Sequence, residues 1–308
     1  MTSVILNIIH RSRYYMKFII QNFKIIKIIF YNFFMNIPKR HFYNKQHYDL
    51  DFDQKKMILK PDFHQKLLTK SLWNKFGFKK VTGSLVGDVL EVDDFKSQFG
   101  AFAKIAWCGI PVLDRKYVDA GIAIEPMVIN ALEEVSKKSI QTFNPTEYEF
   151  DYFKDKDPII GGIPDGFINQ DQIILEIKTT GEKNYQNWNT YGVPAAYLKQ
   201  AQIYTYLMGV KEYWIVATFL KEQDYLDPQN YPIRQRILKN YRFQINLAQV
   251  QDDISKIKQW YLEYTQSGIS PQWNDHKDQD LIDWLKCENE QQYLELLEKW
   301  KQEGKFTN

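Results

Sequence analysis

Cysteine is nearly absent: Cys108 and Cys287 are the only two in 308 residues. That count excludes a disulfide framework, a four-cysteine zinc site and a cysteine-held iron–sulfur cluster. The five histidines, His10, His41, His47, His64 and His276, show no close ligand spacing, so no zinc is expected and any metal should be held by oxygen. Gly/Ser linkers and internal repeats are missing too, leaving one domain with an appendage or two domains. Acid is missing from the start of the chain. Nothing before Asp49 is Asp or Glu, while eight Lys and Arg stand there. Setting those eight aside leaves 32 basic against 38 acidic residues, a body of net charge −6 within a chain of formal charge +2. A nucleic-acid partner must then be met by a local basic groove, because the global field does not favour it.

A long uninterrupted apolar run is also lacking. Residues 18–34 come nearest, but Lys24 and Lys27 sit in the middle, each costing about 2.5–3.5 kcal/mol at a bilayer centre, so a spanning helix is not expected. The small-residue cleavage site of a signal peptide is absent. Two readings of this leader stay open: a membrane-surface amphipathic helix, or a non-native extension with Met35 as the true start. The chain is expected to be soluble and cytoplasmic.

What is present is a globular composition, 44 % apolar and 16 % aromatic, organised around residues 158–178, PIIGGIPDGFINQDQIILEIK. Residues 159–168 and 172–178 are β-rich runs separated by Asn169, Gln170 and Asp171, which reads as a hairpin. A two-residue loop at Gln170 and Asp171 makes Asn169 face Gln172 and places Asp165 opposite Glu176, with Cβ atoms ~4.5–5.5 Å apart. Lys178 shares the strand face of Glu176, since side chains alternate with period two. Two acids and an amine on one face predict a Mg²⁺ site, with the Ile177 carbonyl as a further oxygen ligand. The bland alternative is a solvated strand face with one ion pair. Against it, IIGGIP and IILEI read as buried sheet, where unpaired carboxylates are costly.

Elsewhere, helical spacing predicts helices over 62–76 with Asp62 as N-cap, over 95–107, and over 114–137 in pieces around Gly121. Glu125, just before Pro126, takes a helix-start position, where an acid is either a dipole partner or a functional group. Thr82, Gly83 and Ser84 turn into a helix running towards Leu90. Ser84 and nearby amides, with Lys79 and Lys80 alongside, either receive a phosphate or form an ordinary cap. Residues 147–153 read as a first strand, 194–208 as a helix ending at Gly209, and 212–219 and 241–245 as closing strands. Gln200 and Tyr204 share one face of that helix. The loop 221–240, with Arg234, Arg236 and Lys239, is either a DNA-facing patch or a solvated insertion. Residues 247–265 form an amphipathic helix, and 278–301 a charged helical tail carrying Trp284 and Trp300 on apolar stripes.

These pieces together resemble the PD-(D/E)xK nucleases, and among them the lambda-exonuclease-like, YqaJ-type viral recombinase group. Trp73 with VTGS at 81–84 is similar to the opening element that holds a 5′ phosphate, and GIAIEP at 121–126 to the helix-borne glutamate. PDGFI and LEIK resemble the metal hairpin, and QAQIYTYLMG at 200–209 the Q-x-x-x-Y helix. The likeness covers roughly 67–245. One departure is Gly77, flanked by Lys75, Lys79 and Lys80, where the family usually has an arginine; lysine lacks the bidentate fork.

The resemblance implies an α/β (α+β) restriction-endonuclease-like core, a central mixed β-sheet flanked by helices, with a helical C-terminal appendage. The expected division is a poorly ordered or non-native leader at 1–45, a nuclease domain at 46–268 and a helical tail at 269–308. It implies a Mg²⁺-dependent nuclease, Mn²⁺ serving as well, most simply an exonuclease on duplex DNA ends in recombination or repair and phage-derived. Glu125, Asp165 and Glu176 with the Ile177 carbonyl would hold the ion, Lys178 and Gln200 would act beside them, and Ser84, Lys79, Lys80 and Tyr204 would meet the substrate. A single-strand annealing protein and further copies of the chain are the implied partners. The competing readings are a restriction-type or structure-specific endonuclease and a non-catalytic DNA-binding subunit.

Overall fold

Alternation and helical periodicity build most elements where the sequence places them, in a computed structural model that describes residues 38–69 and 76–305. Trp73, Lys75 and the leader up to residue 37 lie outside the described residues. β1 (Tyr48–Asp51) and β2 (Lys56–Leu59) form an antiparallel hairpin whose inward residues Tyr48, Leu50, Met57 and Leu59 are buried. α1 (Pro61–Leu68) starts on its proline, with Lys60 rather than Asp62 as N-cap. It stops well short of residue 76, because Thr69 leaves helical geometry and its hydroxyl donates back to the Gln65 carbonyl at 2.9 Å. β3 (Val81–Thr82) leads directly into α2 (Gly83–Val89). α3 (Gln98–Ile105) begins later than residue 95, where the Ser97 hydroxyl accepts from the Gly100 N–H at 3.1 Å.

α4 (Lys116–Ser136) is one continuous helix, and Glu125 sits in its middle rather than at a start. Pro126 cannot donate to the Ile122 carbonyl one turn back, but Ile122 is on an exposed face of the helix, where water can take that acceptor. The expected strand at 147–153 is absent. Residues 145–150 and 152–156 are turns, because the Asp151 carboxylate accepts from the Phe153 and Gly162 N–H groups, both at 3.0 Å, and offers the backbone an alternative to a ladder.

The run 159–168 is likewise two strands. β4 (Ile160–Gly161) pairs in parallel with β3, and β5 (Gly166–Ile168) pairs antiparallel with β6 (Ile173–Gly181). Between them Gly162 takes φ +141°, and a Cβ there would lie 2.0 Å from the Tyr204 hydroxyl. β6 pairs in parallel with β7 (Glu212–Leu220), which pairs antiparallel with β8 (Leu238–Gln244), giving the mixed sheet β5-β6-β7-β8. α5 (Lys183–Tyr191) and α6 (Ala195–Met208) supply the crossover that parallel strands need, and α6 ends on Gly209 at φ 72° as expected.

Alternate residues of the sheet enter two cores. Leu175, Ile177, Trp214 and Val216 pack with Ile124 and Val128 of α4. Ile174, Ile215 and Ala217 pack with Ala201, Ile203 and Tyr204 of α6. The sheet is therefore sandwiched between α4 and α6. The second core also takes in α7 (Leu247–Ser267), α8 (Gln279–Lys286) and α9 (Glu290–Gln302) through Ile257, Trp260, Trp284, Leu297 and Trp300. Phe42, in the segment expected to be a leader, belongs to it too. Among the described residues no helix is long and apolar enough to cross a membrane.

Candidate active site

The site forms where β5 stops. Pairing ends with Gly166 opposite Leu175, so β6 runs on from Glu176 with no described strand on that side. Asp165, one residue before β5, continues the predicted register to Glu176. Its Oδ2 accepts the Ile177 N–H at 2.6 Å, the bond a longer β5 would otherwise make. In an extended strand the carbonyl points to the same side as the N–H of its own residue, so Ile177 presents its oxygen to this open edge as well. Glu125 comes from α4 on one face of the sheet and Gln200 from α6 on the other. All five residues expected to do chemistry, Glu125, Asp165, Glu176, Lys178 and Gln200, converge here.

Glu176 is 1 % exposed. Its Oε1 accepts from the Lys178 ammonium and from Gln200 Nε2, the latter at 2.6 Å, while Oε2 is buried with no hydrogen-bond partner. Burial, reinforced by the Asp165 charge and only partly offset by Lys178, pushes the Glu176 carboxyl up to about 8. Burial and the same Asp165 charge push Glu125 up to about 7. Asp165 itself is raised, chiefly by burial against the pull of Lys178 and the Ile177 N–H. For Lys178, burial works against the ammonium, but Glu176 and Asp165 outweigh it and the group is held charged. Among the described residues no three His, Cys, Asp or Glu side chains form a finished ligand set. The cation among these carboxylates is Lys178, closed onto Glu176.

The phosphate-binding candidates divide. Ser84 is exposed at the first turn of α2, its hydroxyl 3.3 Å from that of Thr82. The Gly83 amide expected to help it already donates to the Tyr204 hydroxyl at 3.1 Å. Lys80 is engaged elsewhere: its ammonium pairs with Asp151 at 2.7 Å and donates to the Asp157 carbonyl at 2.7 Å, so it holds the 151–157 turns in place. Lys79 lies over the Trp107 ring, 3.9 Å from its centroid, and burial lowers its pKa. Tyr204 is buried behind the site, touching Gly83 and Gly162 rather than open space, and burial pushes its hydroxyl up. In the 221–240 loop, Arg236 grips buried Asp224 with two bonds of 2.7 and 2.6 Å, and Arg234 pairs with Glu134. A buried ion pair thus takes Arg236 out of the proposed DNA-facing patch, while Arg234 and Glu134 are both exposed.

Tyr197 is the residue that sequence reasoning passed over. Its ring lies under the Lys178 ammonium, 5.0 Å from centroid to Nζ, and stands against Trp188. The signal was available: Tyr197 is three residues before Gln200 and so shares its helix face.

Residues 72–211 match the model of the YqaJ-like viral recombinase domain. The chain is similar to the uncharacterized protein MG373 of Mycoplasma genitalium, 26 % identical over 70 % of this chain and 89 % of that one. Its Mycoplasma pneumoniae homolog is 24 % identical over 73 % and 92 %. Among solved structures it is similar to an alkaline exonuclease of Laribacter hongkongensis, with a TM-score of 0.46 and 14 % identity over 61 % of this chain and 89 % of that one. A phage-related exonuclease of Haemophilus somnus 129PT gives a TM-score of 0.45 and 13 % identity over 61 % and 94 %. The acids and the amine thus stand together within residues 72–211, the part of the chain that is similar to the YqaJ-like viral recombinase domain.

Proposed function

We propose that the protein is a metal-dependent deoxyribonuclease, acting as an exonuclease on the ends of duplex DNA in recombination or repair. One observation carries the reading. Three carboxyl groups lie together at an open strand edge, their ionisation suppressed by burial and, for Glu125 and Glu176, by the Asp165 charge, and one buried carboxylate oxygen lacks any partner. Such an arrangement is unfavourable unless positive charge beyond a single lysine enters it. The oxygen donors fit a hard divalent cation: Asp165, Glu176, the Ile177 carbonyl and Glu125 would hold Mg²⁺, or Mn²⁺ in its place. When bound, such an ion polarises the phosphate and makes a water acidic enough to attack it.

The remaining work falls to the chain's own groups. Lys178 keeps its proton under the pull of Glu176 and Asp165 and offsets negative charge growing on the phosphoryl oxygens. Gln200 fixes the Glu176 carboxylate through Oε1, and Tyr197 and Tyr204 close the apolar floor beneath. Ser84 and Lys79 would contact substrate phosphate; Lys80, already paired, is left out of that role. Without an arginine near Gly77, recognition of a 5′ phosphate rests on weaker point contacts.

The test is digestion of end-labelled linear duplex, with and without a 5′ phosphate, in Mg²⁺ and in EDTA. Progressive release of label in Mg²⁺ and none in EDTA is expected. Nicking or linearisation of a closed circle would instead establish the endonuclease reading. Binding without cleavage in either ion would leave a DNA-binding subunit.

A further inference from the structure

Beyond Lys178, β6 continues along its unpaired edge through Thr179 and Thr180 into a cavity of about 630 Å³. α4 runs the same way. Steps of four residues from Glu125 pass Gly121, where a Cβ would stand 3.6 Å from the Thr179 hydroxyl, and reach Tyr117 on the cavity wall. Both walls of the acid cluster therefore lead into this space.

Tyr117 is 58 % exposed, yet it is held: its ring meets that of buried Tyr225 edge-on at 5.1 Å, and the Lys116 ammonium lies 5.4 Å from one ring and 5.0 Å from the other. An aromatic surface fixed in advance loses little conformational freedom when a flat partner stacks on it. Asn184 and the Thr180 hydroxyl, hydrogen-bonded at 2.6 Å, supply polar edges on the facing side. Charge in the cavity is close to balance. Lys183, Lys221, Glu182 and Glu222 line it, and Lys116 is paired with Glu222 at 2.9 Å. Attraction for phosphate is weak here, so what the cavity can hold best is a base. Its volume is in the range of sites that enclose one small organic ligand, the size class of a nucleotide.

Resting on the nuclease reading, we propose that this cavity is a subsite for an unpaired nucleotide of the DNA strand lying next to the scissile phosphate, with its base stacked on Tyr117. Stacking of this kind tolerates any base and strengthens binding by roughly 5- to 150-fold per base. It holds the strand end away from its complement while the neighbouring phosphate lies among the acids.

The probe is a short single-stranded oligonucleotide carrying 2-aminopurine, titrated with the full chain in EDTA so that no cleavage occurs. Wild-type protein quenches the probe. Tyr117→Ala raises its Kd about tenfold or more and loses the quench, while Tyr117→Phe restores both. Gly181 lies at the cavity with open space where its Cβ would be, so Gly181→Leu places a side chain at the cavity wall and weakens probe binding independently of Tyr117. Wild-type affinity and quench in both Tyr117→Ala and Gly181→Leu, each with an unchanged melting temperature, overturn the subsite. So does the absence of any quench in wild type. Failure of the nuclease reading is separate: it appears as no cleavage by wild type in Mg²⁺, whatever the probe does.

Discussion

At the scale of single residues the molecule is governed by an excess of carboxylate in a place short of water. The folded-state values of Glu176, about 8, and Glu125, about 7, lie above the unfolded glutamate value. Both groups therefore bind protons more tightly when folded. The stability they contribute is complete below the unfolded value and is lost as pH rises through about 7 to 8. In EDTA the melting temperature should fall between pH 5 and 8, and Mg²⁺ should flatten that fall. The paired carboxylates Asp157 and Asp224 are held low and titrate below this window. Glu176→Gln should have a shallower slope, which isolates the site; an equal slope would contradict the assignment. Asp165→Asn removes the charge that raises its neighbours while keeping an acceptor for the Ile177 N–H, so its melting temperature in EDTA at pH 8 should equal or exceed that of wild type. Asp165→Ala loses that hydrogen bond and leaves a donor unmet, costing about 1–3 kcal/mol against the gain from relieved repulsion. Both variants should lose Mg²⁺-dependent cleavage. Lys178→Ala should reduce cleavage by roughly 10²-fold or more with DNA binding retained in a gel-shift assay; undiminished cleavage would remove Lys178 from the mechanism.

At the scale of elements, the junction of β4, α2 and α6 decides where the acids stand. The Tyr204 hydroxyl occupies the space that a Cβ on Gly162 or Gly83 would need, at 2.0 and 2.5 Å. Gly162→Ala combines that collision with a left-handed φ, and should cost about 2 kcal/mol or more in chemical denaturation. Tyr204→Phe should cost about 1–2 kcal/mol, because the Gly83 N–H loses its acceptor. The two changes should be non-additive in a double-mutant cycle, as they share one contact. Additive losses would mean that the helix and the strand break are independently supported.

At the scale of the whole molecule, Arg40 joins the two ends of the described chain. Its guanidinium donates to the Trp284 carbonyl at 2.7 Å, the Phe42 carbonyl at 3.0 Å and the Tyr48 hydroxyl at 2.9 Å, and lies 4.4 Å from the Trp284 ring. Trp284 in turn stacks on Trp300 of α9. Arg40→Ala should cost about 3–5 kcal/mol, since several charge-assisted bonds to buried acceptors go at once, and should open 269–305 to proteolysis before the sheet. Equal protection of that segment in the variant would show that the C-terminal helices hold without it.

What could be read from the residues alone was local and periodic. The loop at Gln170 and Asp171 and a period of two set the register that aligns Asp165 with Glu176 and puts Lys178 on the face of Glu176, because one slipped residue would turn the whole apolar set outward. Helical spacing and Gly209 likewise delimited α6 with Gln200 and Tyr204 on one face. The tertiary structure decided what depends on distant partners. Gly162 breaks a run that reads as one strand because Tyr204, far along the chain, fills the space beside it. Pro126 lies inside a continuous α4, and Lys80 belongs to Asp151 rather than to a substrate. Arg40 belongs to a core built with the last helices. No window of sequence contains both members of any such pair. The acids are named by their motif, but their collective shift in ionisation exists only once β5 ends short and leaves the edge of β6 open.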